Sequence, residues 1–122
     1  MSPAVRALRG ATTVDEDCPQ QISERMQALI GEMLSRNRVS HDDIISMVFT
    51  ATNDIVSAFP AAAARGMGLG DVPLLCAEEL AVVGGTPRCL RVLMHLTTER
   101  SRAELRHVYL QGASGLRDDL PG

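Results

Sequence analysis

The sequence predicts an α+β domain in which one long helix accompanies about five strands of a mainly mixed sheet. Three observations lead there. Apolar residues recur at helical spacing over a single extended stretch, Ile22, Met26, Leu29, Ile30, Met33 and Leu34. Short runs rich in Val, Leu and Ile, bounded by Gly, Pro and Asp, occupy most of the rest. Neither a strict β-α-β alternation nor a repeat period is present. The 122 residues fit one domain spanning 1–122, with 118–122 expected to form a loose tail.

The elements follow in order. Val5 to Val14 reads as a strand of small and β-branched residues, interrupted at Arg9-Gly10. Asp17 or Cys18 caps the long helix, Pro19 suits its first turn, and Asn37-Arg38 ends it. Ser40 caps a short second helix, with Asp42 and Asp43 at its positive end. Met47 to Thr52 is a buried strand, and Pro60 opens an Ala-rich helical turn reaching Arg65. Val72 to Ala77 is a strand, Gly84-Gly85 a turn, and Cys89 to Thr98 the strongest strand. Ser101 to Leu105 reads as a helical turn or loop, and Arg106 to Gln111 as the last strand.

Composition removes several classes of function. There is one Tyr, two Phe and no Trp, so stacking platforms for bases are nearly absent. A net charge of -3 gives no basic field for nucleic acid or anionic lipid. The odd count of three cysteines (Cys18, Cys76, Cys89) contains no CxxC pair, which argues against a disulfide framework or zinc site. No stretch has the length of a membrane span, and no apolar run marks a signal peptide. A cytoplasmic protein with reduced thiols is the simplest expectation. All basic residues are Arg; a GC-rich coding sequence explains that bias, so only individual arginines carry weight.

Alternation in the Cys89–Thr98 strand puts Arg91, Leu93 and His95 on one face and Val92, Met94 and Leu96 on the other. Arg91 inside so apolar an element needs an anionic partner. A structural ion pair is the commoner explanation, and a ligand clamp the other. Tyr109 shares its face with His107 and Leu105, and such a Tyr is more often packing than site. Gly10 after Arg9 permits a bulge or the close approach of a ligand, the bulge being commoner. Glu78 and Glu79 at a strand end are usually a solvated rim, and Cys76 usually a small buried hydrophobe. His41, His95 and His107 lack metal spacing, and no GxSxG elbow occurs. Gly66, Gly68 and Gly70 have the wrong spacing for a dinucleotide fingerprint. Residue types alone point to an anion-binding pocket and leave the reaction open.

Several blocks in order resemble the barrel-type, trimeric chorismate mutases: Arg9-Gly10-Ala11-Thr12-Thr13-Val14; Ala51-Thr52-Asn53-Asp54; Phe59-Pro60-Ala61; Val72-Pro73, Cys76 and Glu79, followed by Gly84-Gly85; Cys89-Leu90-Arg91-Val92; Arg106-His107-Val108-Tyr109-Leu110; and Leu116-Arg117 with Asp119-Leu120. The resemblance implies a homotrimer whose sheets pack into a barrel-like core, with sites in clefts between subunits. It implies an intramolecular pericyclic rearrangement of chorismate to prephenate, without cofactor or metal. By the same resemblance Arg91 meets the breaking ether oxygen, Arg9 and Tyr109 bind carboxylate, and Glu79 and Cys76 meet the ring hydroxyl. Phe59, Ala61, Leu74 and Leu75 would wall the pocket, with Arg65, Leu116 and Arg117 at its mouth. Two positions depart from the family pattern: Ala62 stands where a Lys is expected, and Leu75 where a small polar residue is expected. The competing classes are an enamine/imine deaminase on a similar trimeric scaffold and a non-enzymatic ligand-binding domain. Both would require changes at Arg91, Glu79 or the block order that this sequence does not show.

Overall fold

A computed structural model describes residues 2–116; the expected loose tail and Arg117 lie outside the described residues. Five strands form one sheet: β1 (Ala4–Thr13), β2 (Ile44–Ala51), β3 (Leu74–Glu78), β4 (Cys89–Thr98) and β5 (Val108–Tyr109). Their order is β3-β2-β4-β1-β5. β4 is antiparallel to both β1 and β2, whereas β5 and β3 run parallel to their neighbours, so the sheet is mixed. Two helices, α1 (Pro19–Asn37) and the short α2 (Ala61–Gly66), pack beside it.

The periodicity of α1 does what its spacing requires. Ile22, Met26, Leu29, Ile30 and Met33 are all buried, and they meet Leu8 of β1, Met47 and Phe49 of β2, and Leu90, Val92, Met94 and Leu96 of β4 in one core. Cys18 is the N-cap but makes no side-chain capping bond. Arg38 closes the helix in the left-handed conformation, its N–H shared between the carbonyls of Leu34 and Ser35. The expected short second helix is a 3-10 turn, His41–Asp43, held by a capping box between Ser40 and Asp43.

β4 alternates as its sequence dictates: Leu90, Val92, Met94 and Leu96 are buried, and Arg91, Leu93 and His95 are only partly so. The first face lies under α1, and the second has no helix over it among the described residues. At Gly10 the structure corrects the expectation of a bulge. The β1–β4 register runs unbroken from Ala4↔Thr98 to Thr13↔Cys89. A Cβ at Gly10 would come within 2.5 Å of Met33 Sδ and 3.1 Å of Leu29 Cδ1, so the missing side chain admits the helix. The one irregularity in these ladders is in β2, between Ile44 and Ser46.

The last strand is shorter than its sequence suggests, two residues in place of the span Arg106 to Gln111. Arg106 N–H donates to Asn37 Oδ1 at 2.7 Å, and Arg106 C=O accepts from Asn37 Nδ2 at 2.9 Å. The end of α1 therefore takes the backbone groups that a longer ladder would have used. As a result His107 and Leu105 precede the strand rather than sharing a face with Tyr109, and Leu105 is buried in the core.

Candidate active site

Sheet register assembles the first group of candidate residues. Arg91 stands opposite Ala11 on β1 and Thr50 on β2, Ala11 opposite Tyr109, and Thr50 opposite Ala77. Residues in register share a face, so Tyr109, Ala11, Arg91, Thr50 and Ala77 form one row across the uncovered side. Small Ala11 leaves a gap between the Tyr and the Arg, whose Cα atoms are about 10 Å apart at two strand spacings. Arg9 sits one row along, beside Leu93. Its side chain is exposed, and it lines a hollow of about 390 Å³ with His95, Arg102 and His107. Arg9 N–H donates to His107 Nδ1 at 2.9 Å.

Glu79 follows β3, and its N–H extends the ladder by donating to Ala51 C=O at 2.9 Å. That places its carboxylate beside Arg91. Arg91 Nε lies 3.2 Å from Glu79 Oε2. This is an ion-pair distance without hydrogen-bond alignment, and Nε is buried with no hydrogen-bond partner. The guanidinium is not sealed in the core, as a structural pair would be: the Arg91 side chain is 39% exposed and that of Glu79 27%. Tyr109 Oη is likewise buried without a partner among the described residues. A donor and a cation on one open face therefore retain unspent hydrogen-bonding capacity, which suits an anionic ligand.

The second group lies elsewhere. Cys76 is opposite Phe49, which is opposite Val92, so Cys76 faces the α1 side and Arg91 the open side. Cys76 lines a largely apolar cleft of about 510 Å³ together with Phe59, Val56, Ile55 and Pro60. Phe59 is 71% exposed, unusual for a large apolar side chain and available for contact. Arg65, on the last turn of α2, is also exposed. Asp17 fixes the loop that carries Phe59. It accepts from Val56 N–H at 3.0 Å and from Ser57 Oγ at 2.6 Å. The Ser57 hydroxyl, then the Val56 N–H, hold the Asp17 carboxyl below its usual range.

A second clasp joins the same loop to β4. Thr52 Oγ1 donates to Asp54 Oδ1 at 2.5 Å and accepts from Cys89 N–H at 3.0 Å, while Arg88 N–H donates to Asp54 Oδ2 at 2.9 Å. Partial burial pushes the Asp54 carboxyl up, but these donors together outweigh it and leave it lowered. Burial raises the Cys89 thiol, so Cys89 is a packing residue.

The remaining candidates divide. Leu75 is 63% exposed on the open face, in register with Val48. Leu74 packs against the core, and Ala61 is buried within it. Leu116 is partly buried at the end of the described chain. No group of three or more His, Cys, Asp or Glu side chains among the described residues could hold a metal ion. Sequence reasoning missed Thr50, whose hydroxyl donates to Glu79 Oε2 at 2.5 Å. The two are 29 residues apart, and only the sheet brings them together.

A sequence model of the chorismate mutase type I family matches residues 5–120. The chain belongs to that family. Chorismate mutase AroH of Thermus thermophilus is 45% identical over 117 residues, covering 95% of this chain and 96% of the relative. The Bacillus subtilis AroH is 37% identical over 117 residues, covering 95% of this chain and 92% of that one. Among solved structures, a chorismate mutase from Clostridium thermocellum superposes with a TM-score of 0.87 at 44% identity, over 88% of this chain and 96% of that one. As a chorismate mutase, the chain has no need of the water-activating chemistry of the deaminase alternative.

Proposed function

We propose that the chain rearranges chorismate to prephenate in clefts shared between the subunits of a homotrimer. The observation that carries this reading is the Arg91–Glu79 ion pair on the open sheet face, partly exposed and with no hydrogen-bond partner for Arg91 Nε. In the rearrangement a C–O bond breaks, the ether oxygen gains negative charge and the ring gains positive charge. A fixed guanidinium beside that oxygen stabilises the transition state more than the ground state. The Glu79 carboxylate accepts from the ring hydroxyl and faces the developing positive charge. Arg9 and Tyr109, from the same face, bind the substrate carboxylates. No proton moves and no covalent intermediate forms, so neither Glu79 nor Cys76 needs to act as a base or nucleophile.

The Phe59 and Cys76 cleft opens on the other side of the sheet from Arg91, so one chain does not enclose a substrate with both. A neighbouring subunit that brings its cleft to the open face would complete the site. Uncovered apolar side chains support such an assembly: Val5 and Leu75 on the open face, at 65% and 63% exposure, and Val82 and Val83 in the loop after Glu79, at 67% and 102%. Arg65 of the completing subunit, with Leu116 and Arg117, would edge the mouth. Arg65 would also supply positive charge that Ala62 does not. We place the enzyme in the cytoplasm as one catalytic domain, on its free cysteines Cys18, Cys76 and Cys89. No helix among the described residues is long and apolar enough to cross a membrane.

The test is the ultraviolet loss of chorismate with purified protein, before and after exhaustive chelation. Equal rates with stoichiometric prephenate are expected. Loss of activity on chelation, restored by zinc or magnesium, would overturn the mechanism.

A further inference from the structure

The carboxylate of Glu79 is held from two sides. Its backbone N–H is fixed to Ala51 C=O at 2.9 Å, and its Oε2 accepts from Thr50 Oγ1 at 2.5 Å. The same Oε2 lies 3.2 Å from Arg91 Nε. Oε1 has no hydrogen-bond partner among the described residues. Thr50 reaches this position because β2 runs between β3 and β4, with Thr50 opposite both Arg91 and Ala77, two residues before Glu79. Its only hydroxyl proton is spent on Glu79.

We infer that Thr50 is a positioning residue for the rearrangement: its hydroxyl pins Oε2 of Glu79, leaving Oε1 to accept from the substrate hydroxyl and the Arg91 guanidinium free for the ether oxygen. Without that bond the carboxylate can rotate onto Arg91 and take a two-oxygen grip, the geometry that Arg and carboxylate favour. The guanidinium would then be engaged by Glu79 when it is needed by the substrate. Thr50 thus acts through Glu79 and touches no reacting atom. A Ser retains the hydroxyl, whereas a Val keeps the shape and the β-branched fit to the strand but removes the donor.

This inference rests on the reading of Glu79 as a substrate-binding group, and the experiment separates the two. Steady-state kinetics on chorismate would compare the wild type with Thr50→Val, Thr50→Ser, Glu79→Gln and the Thr50→Val/Glu79→Gln double variant, each checked for cooperative unfolding. Removing a hydrogen bond to a charged group should lower kcat/KM by roughly tenfold to a hundredfold. Most of that loss should fall in kcat, because the Arg91 charge that Thr50 keeps free in the wild type acts on the transition state. Thr50→Ser should restore most of it, and Thr50→Val should add little to the loss in the Glu79→Gln background. Folded Thr50→Val with wild-type kcat and KM, beside a disabled Glu79→Gln, would overturn the role of Thr50 alone. A fully active Glu79→Gln would instead overturn the reading of the site. Failure of Thr50→Ser to recover activity would show that the hydroxyl is not what matters.

Discussion

Truncating Arg91 separates a structural ion pair from a catalytic cation. In the folded chain Arg91 Nε stands 3.2 Å from Glu79 Oε2, with side chains 39% and 27% exposed. A pair so open to solvent contributes at most about 1 kcal/mol to stability. Glu79 would keep its bonds through Thr50 Oγ1 and its own backbone, so Arg91→Ala leaves no buried orphan charge. The catalytic loss is of another size. One preorganised donor to a developing oxyanion is worth about 2.7–4 kcal/mol, which is roughly a hundredfold to a thousandfold in rate. Arg91→Ala is therefore expected to lower kcat far more than it raises KM, with only a small fall in Tm. Arg91→Lys should recover part of the loss, since it keeps the charge without the planar fork. The assay is chorismate disappearance at saturating and limiting concentrations, with light scattering and thermal unfolding as controls. A folded, assembled Arg91→Ala protein with near-normal kcat would show that the catalytic charge lies elsewhere and return Arg91 to a structural role.

Two further predictions concern the scaffold. Gly10→Ala places a Cβ 2.5 Å from Met33 Sδ, inside a fully buried cluster. It should cost about 1–3 kcal/mol by overpacking, read as a lower urea midpoint at unchanged slope. An unchanged midpoint would mean that α1 can move off β1. The Asp17 and Asp54 carboxyls are lowered from 3.8 and Glu104 from 4.5, so each stabilises the fold above its unfolded value and loses that contribution as pH falls through its lower folded value. Stability should therefore decline from about pH 4.5 downward. Asp17→Asn should flatten part of that decline and speed amide exchange at Val56 and Ser57; identical acid curves for the two proteins would contradict the clasp.

The fold was legible where a single element carries its own signal. β4 reads from Cys89 to Thr98 because its alternation is uninterrupted, and α1 because six apolar positions repeat at one spacing. The faces of Arg91 and Val92 followed from parity alone. What sequence could not reveal was set by contacts distant in the chain. Gly10 resembled a bulge because nothing local indicates that Met33 and Leu29 fill the space above it. Asp17 resembled a cap, but its carboxylate is drawn to Val56 and Ser57. The last strand was overextended because Asn37 takes the backbone groups of Arg106. At the site, residue types suggested an anion pocket, and the family blocks supplied the roles of Arg9, Glu79, Cys76 and Tyr109. Thr50 carries no motif and emerged only from its register beside Arg91.

The division of the site into an Arg91 group and a Phe59 group on opposite sides of one sheet has a direct test in mixed trimers. Arg91→Ala disables the first group, and Phe59→Asp puts a charge into the apolar wall of the second. Each variant alone should be nearly inactive. If each site takes one group from each of two neighbouring subunits, refolding the two together in equal amounts gives about a quarter of the sites both intact groups. Recovery to about that fraction of wild-type activity is expected. A mixture no more active than the mean of the separate variants, with mixed trimers verified by native mass spectrometry, would contradict it.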